Sequence, residues 1–380
     1  MPRTLGALAL FVAAALLLLS LPVGARDNTL PAPKTQPPAT SARAMALYEP
    51  ESGIFLAEKN ADERLPMAST TKIMTALVAL ETLPLDGVIS VPPEAVGVEG
   101  SSIYLYMGEK VTVRTLLYAL LLSSANDAAA ALAVTAGGSI GDFADMMNAK
   151  AAAIGLSDTH FSNPHGLHDE EHYTTARDLA RLAAVALENK IFAEIVSTRR
   201  YTAPQEGTAA TRLFLNHNRL LRTYEGAVGV KTGYTKAAGR CLVGAAERGG
   251  LTLVAVTLAD PNDWRDHAAL FDWGFSEYVG FCPSPAPVSV PVVGGTAGEV
   301  QLLPEGSLRL TLPADHAEIT ASVEAPRFLF GGFDAGEVKG KVVYRVNGAK
   351  IGEIPLVTAK GVAAERPLGF FARLKQRFQK

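Results

Sequence analysis

Cysteine is scarce in this chain, and its scarcity narrows the chemistry. Only Cys241 and Cys282 occur among 380 residues. No zinc-ligand cysteine pattern can be drawn from them. An exported pair could form one disulfide. Cys241, however, opens the apolar run Cys241-Leu242-Val243-Gly244-Ala245-Ala246, where a cysteine serves as a small filler. The two are therefore expected to stay unpaired. An excess of either charge is lacking too. The net charge is −3, so no basic field points to nucleic acid. There is no glycine-rich phosphate loop, and no cofactor is expected. Charged residues make up 19% and apolar residues 48%, a globular composition and not a disordered one. The length is enough for two domains.

One stretch is free of charge altogether. Between Arg3 and Arg26 the chain is rich in Leu and Ala. Val23-Gly24-Ala25, just after Pro22, fits a cleavage site, so residues 1–25 read as an export signal. An uncleaved anchor is the alternative, because the run is long. Residues 26–40, with Pro31, Pro33, Pro37 and Pro38, read as a flexible spacer.

Three short motifs then stand at wide separation: Ser69-Thr70-Thr71-Lys72, Ser124-Ala125-Asn126 and Lys231-Thr232-Gly233. A serine hydroxyl needs a nearby base to attack at neutral pH. Pro66 upstream and Ile73, Leu77 and Leu80 downstream predict that a helix begins at Ser69. Lys72, three residues on, shares its face. Burial in the run Ile73–Leu80, with Lys231 as a second cation, would lower the lysine pKa and make it a base. The N–H of Ser69 at the helix start would face a developing oxyanion.

Ser124 and Asn126 fall on a turn between the helix-like runs Val113–Leu122 and Ala128–Val134. Ser124 could pass a proton between Lys72 and a leaving amine. Asn126 could hydrogen-bond a substrate amide. Lys231, Thr232 and Gly233 sit on an edge-like strand that could pair with an extended substrate. Lys231 and the Thr232 hydroxyl would bind a substrate carboxylate. Gly233 would let the acyl group come close to the backbone. The N–H of Tyr234 would be a second oxyanion donor. Taken singly, each motif also reads as ordinary structure: an N-cap serine with a solvated lysine, a polar helix–helix turn, and an exposed Lys-Thr-Gly turn.

His165, His168 and His172, with Asp169, Glu170 and Glu171, offer metal-ligating side chains. Their spacing fits no mononuclear zinc signature. A polar rim loop is expected there, and no metal.

The rest of the chain sets these motifs in a fold. Ala42–Tyr48 and Ile54–Glu58 predict a hairpin around Pro50-Glu51-Ser52-Gly53. A helical region follows from Ser69 to about Glu188. One helix there covers Ile140–Ile154 and ends at Gly155. Another starts at Thr175, with Asp178 placed as in a capping box. Strands return at Val228–Lys231, Arg240–Ala246 and Leu251–Leu258, before a helix over Asp263–Asp272. Strands from both ends with helices between them imply one α/β domain over residues 41–280. Its antiparallel sheet would pack on a helical cluster, with the site between the two.

Pro283, Pro285, Pro287 and Pro291 mark a linker. Val300–Leu303, Leu308–Leu312, Ile319–Val323, Lys341–Val346 and Ile351–Val357 then predict a small all-β domain over residues 283–360. Asn347-Gly348 is a strong hairpin signal within it. In residues 366–380, Leu368, Phe371, Leu374 and Phe378 recur at helical spacing among Arg373, Lys375, Arg377 and Lys380. This reads as a basic amphipathic helix for an anionic membrane surface. A frayed basic tail is the alternative.

Together the three motifs resemble the active-site triplet of penicillin-recognising serine enzymes, the class A β-lactamases and penicillin-binding proteins. The likeness widens at Asn163-Pro164-His165-Gly166-Leu167, at Thr175–Leu179 and at Asn216–Leu220. It continues at Pro261–Trp264 and Phe271–Phe275. These segments resemble the low-molecular-mass D-alanyl-D-alanine carboxypeptidases over roughly Arg43–Tyr278. Ala125 stands where Gly is also common, and keeps the space small. The resemblance implies a β-lactamase/transpeptidase-like fold and an acyl-enzyme on Ser69. It implies peptidoglycan stem peptides ending in D-Ala-D-Ala as substrate, β-lactams as covalent ligands, and a place at the outer face of the cytoplasmic membrane or the cell wall. A D,D-carboxypeptidase is the leading reading, with a D,D-endopeptidase close to it. A β-lactamase would need Glu170 or Glu171 to activate the deacylating water. A non-catalytic wall-binding protein would need a broken motif.

Overall fold

The computed structural model describes residues 33–205 and 210–365. The expected export signal, the first part of the proline-rich segment and the expected amphipathic segment at 366–380 lie outside the described residues. The end of the proline-rich segment is not a loose spacer. The N–H of Lys34 donates to Glu277 at 2.7 Å, Trp273 Nε1 donates to Thr35 Oγ1 at 3.0 Å, and Lys34 also pairs with Asp315.

The first hairpin forms as predicted from β1 (Ala44–Glu49) and β2 (Ile54–Lys59), with Tyr48 packed on Phe55. A 3-10 turn over Ala68–Thr71 then runs straight into α1 (Lys72–Thr82). Strands β3 (Val88–Ser90) and β4 (Lys110–Thr112) pair, and Thr112 Oγ1 caps α2 (Val113–Leu122). Next come α3 (Asn126–Gly137), α4 (Ile140–Ala153), α5 (Ala176–Glu188) and α6 (Lys190–Ser197). The alanines of α3 from Ala128 to Ala131 are all buried. A helix apolar all round belongs inside a core, and small side chains let its neighbours come close. Thr175 caps α5 as expected, accepting from the N–H of Asp178 at 3.0 Å. The Asp178 carboxylate does not return the bond. It accepts from Asp158 N–H and Thr159 Oγ1 instead, at 2.8 and 2.9 Å.

The hairpin of β5 (Arg200–Pro204) and β6 (Thr211–Leu215) was not predicted. The short α7 (Leu220–Thr223) leads to β7 (Ala227–Thr235), β8 (Gly239–Arg248) and β9 (Leu251–Leu258), then α8 (Asp263–Glu277). One sheet runs in the order β2-β1-β9-β8-β7, with every neighbour antiparallel. Alternation along the strands divides its faces. Ala44, Ala46, Val243, Ala245, Val254 and Val256 share a core with the helical cluster. On the other face α8 lies so close that a Cβ at Gly274 would meet Leu253 at 2.6 Å. The motif-bearing β7 is an edge strand, as expected. Cys241 is buried in β8, Cys282 is exposed, and the two are unbonded.

Beyond α8, β10 (Tyr278–Phe281) leads to β11 (Val288–Val293), β12 (Glu299–Pro304), β13 (Leu310–Pro313) and β14 (Ile319–Glu324). The chain continues through β15 (Leu329–Phe330), β16 (Val338–Val346) and β17 (Ala349–Thr358). Strand β10 pairs with β13, and the others form a sheet in the order β14-β16-β17-β12-β11-β15. It closes on a core of its own that includes Val290, Val292, Leu302, Val342 and Leu356. Asn347-Gly348 turns between β16 and β17 with both residues at positive φ, as the hairpin signal requires. The expected linker ending at Pro291 is partly a strand, since Pro291 pairs with Glu299 inside β11.

Candidate active site

The three motifs meet where β7 passes the start of α1. Ser69 does not cap the helix with its side chain; it lies in the preceding 3-10 turn. The turn is tightly held. Thr70 Oγ1 donates to Met67 O at 2.6 Å and Thr71 Oγ1 to Ala68 O at 2.8 Å. A Cβ at Gly233 would stand 3.0 Å from Ser69 N and 3.1 Å from Met67 O. Glycine there lets the edge strand run against the nucleophile turn, an approach a side chain would crowd.

Lys72 is fully buried. Its Nζ lies 3.0 Å from Ser69 Oγ, 2.7 Å from Asn126 Oδ1 and 2.6 Å from the carbonyl of His165. Burial holds its pKa well below the usual lysine range. The Lys231 cation pushes the same way, and Asp127 opposes them. Asp127 is not a free counter-charge. Its carboxylate accepts from Ser102 Oγ, the N–H groups of Ile103 and Leu105, and its neighbour Ala128 N–H, at 2.6 to 3.1 Å. These bonds pin the 102–105 loop to the start of α3.

Ser124 is buried at the α2–α3 turn with φ +59. Left-handed backbone is uncommon for a residue with a side chain. Asn126 is less free than expected. Its amide nitrogen donates to the carbonyl of Glu99 while its oxygen holds Lys72. A substrate amide would have to displace the Glu99 carbonyl. Lys231 is 1% exposed, donates to Thr232 O at 2.9 Å, and burial brings its pKa down to about 7. Tyr234, the residue after Gly233 on β7, is 67% exposed.

The histidine-bearing loop expected to form a polar rim buttresses this centre. His172 Nδ1 accepts from Ser162 N–H at 3.0 Å, and Nε2 lies 2.7 Å from Thr71 Oγ1. A nitrogen that accepts carries no proton, so the proton is on Nε2 and points at Thr71. Thr71 in turn donates to Ala68 O. Burial keeps the ring neutral, with its pKa down to about 4. Gly166 has φ +87, and a Cβ there would fall 1.9 Å from Ala68 O. Only glycine fits. Its neighbour His165 supplies the carbonyl bound by Lys72. Burial, with Lys72 beside it, takes the His165 imidazole pKa to about 3. His217, whose N–H donates to Leu122 O at 3.2 Å, has its pKa lowered by burial and by Lys231. Glu170 and Glu171 are exposed on the same rim loop.

Sequence reasoning thus brought Ser69, Lys72, Asn126 and the Lys231 strand to one place. It missed the His165 carbonyl, the His172 support and His217. Gly166 was quoted only as part of a family-like segment; its positive φ and its contact with Ala68 emerge from the structure.

Comparison with known proteins gives a consistent set. The family model described as D-alanyl-D-alanine carboxypeptidase matches residues 32–262. D-alanyl-D-alanine carboxypeptidase DacF of Bacillus subtilis is 35% identical over 253 residues, which are 64% of this chain and 65% of that protein. The match thus spans just under two thirds of that relative's length. D-alanyl-D-alanine carboxypeptidase DacC of Escherichia coli is 31% identical over 365 residues, 89% of this chain and 87% of that one. The crystal structure of penicillin binding protein 5 from Haemophilus influenzae superposes with a TM-score of 0.63 at 28% identity, covering 87% of this chain and 99% of its own.

Proposed function

The chain belongs to the D-alanyl-D-alanine carboxypeptidase family and is a serine hydrolase, and on that premise we propose that it removes the terminal D-alanine of peptidoglycan stem peptides through an acyl-enzyme on Ser69. The observation that carries the reading is the trio of contacts around Lys72 Nζ. A neutral amine has two N–H bonds and one lone pair. Asn126 Oδ1 and the His165 carbonyl accept the two N–H groups. The lone pair then faces the Ser69 hydroxyl. Burial, with the Lys231 cation beside it, lowers the Lys72 pKa and so favours that uncharged form.

Ser69 Oγ gives its proton to Lys72 and bonds to the carbonyl carbon of the penultimate D-alanine. The N–H groups of Ser69 and Tyr234 stabilise the oxyanion. Ser124 carries the proton onward from Lys72 to the leaving amine. The C–N bond breaks, free D-alanine departs, and water then hydrolyses the ester. Lys231 and the Thr232 hydroxyl hold the substrate carboxylate, whose charge restores the proton that burial loosens on Lys231. The exposed edge of β7 takes the extended peptide. A β-lactam would acylate the same oxygen.

Read as an export signal and a basic amphipathic segment, residues 1–25 and 366–380 would put the enzyme outside the cytoplasmic membrane and against its surface. Among the described residues no helix is long and apolar enough to cross a membrane. The test is D-alanine release from diacyl-Lys-D-Ala-D-Ala, with mass spectrometry after β-lactam exposure. The adduct is expected on the peptide containing Ser69, and Ser69→Ala should lose both activities. An adduct on Ser124, or full labelling of Ser69→Ala, would overturn the assignment.

A further inference from the structure

An apolar patch stands in the open at one edge of the C-terminal sheet. Phe330 is 71% exposed, Val293 50% and Phe328 47%. The three share one side for a simple reason. Residues two apart in extended chain point the same way, and Phe328 and Phe330 meet edge to face with centroids 5.3 Å apart. Val293 is the registered partner of Phe330 where β11 runs parallel to β15. Their neighbours Val292 and Leu329 turn inward to the core.

The described chain ends against this patch. The N–H of Glu365 donates to the carbonyl of Gly294, the residue after Val293, at 2.8 Å. Three Cα–Cα steps, about 11 Å when extended, separate Glu365 from Leu368. The segment 366–380 carries Arg366, Arg373, Lys375, Arg377 and Lys380 and no acidic residue. Arg327, next to Phe328, adds an exposed cation at the patch itself.

We propose that Phe328, Phe330 and Val293 form a second contact with an anionic phospholipid surface, and that this edge of the sheet seats on the bilayer beside the basic segment. The proposal rests on the reading of residues 366–380 as lipid-binding. That segment would bring the patch to the headgroup layer, where aromatic rings are favoured. Two membrane contacts also fix an orientation, which a single flexible attachment does not.

The test uses the full mature chain and vesicles of phosphatidylethanolamine with phosphatidylglycerol. Phe330→Trp reports depth through quenching by acyl-brominated lipid, while the native Trp264 and Trp273 on α8, outside the patch, serve as a reference. Quenching at position 330 without quenching of the native pair is expected. Phe328→Ser with Phe330→Ser should weaken vesicle partitioning about tenfold, with D-alanine release unchanged. A chain truncated after Glu365 tests the tail alone. If truncation abolishes binding in the parent but the Phe330→Trp indole is never quenched in the full chain, the tail reading stands and the patch proposal is overturned. If truncation leaves binding and quenching intact, the tail reading fails and the patch is supported on its own. Failure of the full chain to bind any vesicle overturns both. A lipid-free dimer that the double serine variant dissolves would make a second copy the occupant and overturn the proposal.

Discussion

Lys231 carries an amine that water cannot reach, and replacing it with methionine should stabilise the fold while removing activity. Burial draws its pKa from 10.5 down to about 7. In the unfolded chain the amine is solvated and keeps the ordinary value. Between those two values the unfolded chain holds a proton that the folded chain has released. Stability therefore rises with pH across that window. The penalty is full below pH 7 and fades as pH approaches 10.5. At about 1.4 kcal/mol per pKa unit it comes to roughly 4 kcal/mol at pH 7 and about 1 kcal/mol at pH 10. Methionine fills similar space with no charge to dehydrate. It also removes a cation from beside Lys72, which adds stability of the same sign. The chain has two tryptophans, Trp264 and Trp273, both on α8 against the same sheet. Urea unfolding followed by their fluorescence reads this part of the fold. The Lys231→Met protein should exceed the parent by about 4 kcal/mol at pH 7, with the gap narrowing to about 1 kcal/mol at pH 10. D-alanine release should fall by about 100-fold or more. A gap of the same size at both pH values would mean that Lys231 keeps its proton when folded, and the burial argument would be wrong.

Three further substitutions probe the neighbours. Gly166→Ala drives a Cβ to 1.9 Å from Ala68 O and should shift the nucleophile turn, lowering kcat/KM about 100-fold; near-parental turnover would mean that the loop gives way freely. Asn126→Asp sets a carboxylate where Lys72 Nζ now has an amide oxygen at 2.7 Å. It should raise the Lys72 pKa and move the acid limb of acylation to higher pH, and an unmoved limb would remove Lys72 as the base. Thr232→Val should raise KM with kcat largely kept. In the parent, acyl-D-Ala-D-Ala should be cleaved far faster than its C-terminal amide; equal kcat/KM for the pair would mean that no carboxylate clamp operates.

The sheet and helices were legible where one face or one whole element is apolar. Strand β9 has the predicted bounds, Leu251–Leu258, because an apolar run broken only by Thr252 and Thr257 follows Gly249-Gly250. The β5–β6 hairpin was hidden because its residue types do not follow its burial: only Ala203 and Phe214 are buried, while Leu213 and Leu215 face out beside Arg, Thr and Pro. Pro291 pointed to a linker, yet β11 admits it. The N–H of Val292 donates to Gly298 O, so the missing N–H of Pro291 faces the opposite edge, where β15 pairing begins only at Val292. The site was legible through side chains and illegible through backbone. Ser69, Lys72 and Asn126 announce themselves by type and spacing. That the carbonyl of His165 points at Lys72 cannot be read from a residue name. Nor can the occupation of Asn126 by Glu99 O. His172 was read only as part of a polar rim loop, because an imidazole's chemistry is the same whether it meets a metal, water or the hydroxyl of Thr71.

The acid nearest the base shows how the site keeps its lysine reactive. A buried lysine beside an aspartate would ordinarily pair with it and keep its proton. Asp127 raises the Lys72 pKa, but less than burial and Lys231 lower it. The bonding explains the order. Two backbone N–H groups of the 103–105 loop, the Ser102 hydroxyl and the Ala128 N–H share its two oxygens. Charge spread over four donors is weaker at a distance than a bare carboxylate. The partners that do touch Lys72 are two neutral carbonyl oxygens and a hydroxyl. Neutral acceptors suit an amine with two hydrogens as well as one with three, whereas a carboxylate would select the ammonium. Filling the acid's valence with backbone therefore does two jobs at once. It fixes the loop that carries Glu99, and it leaves Lys72 without a counter-ion. The proposed base depends on the second, and so any change that frees Asp127 from the loop should weaken catalysis without touching a catalytic side chain.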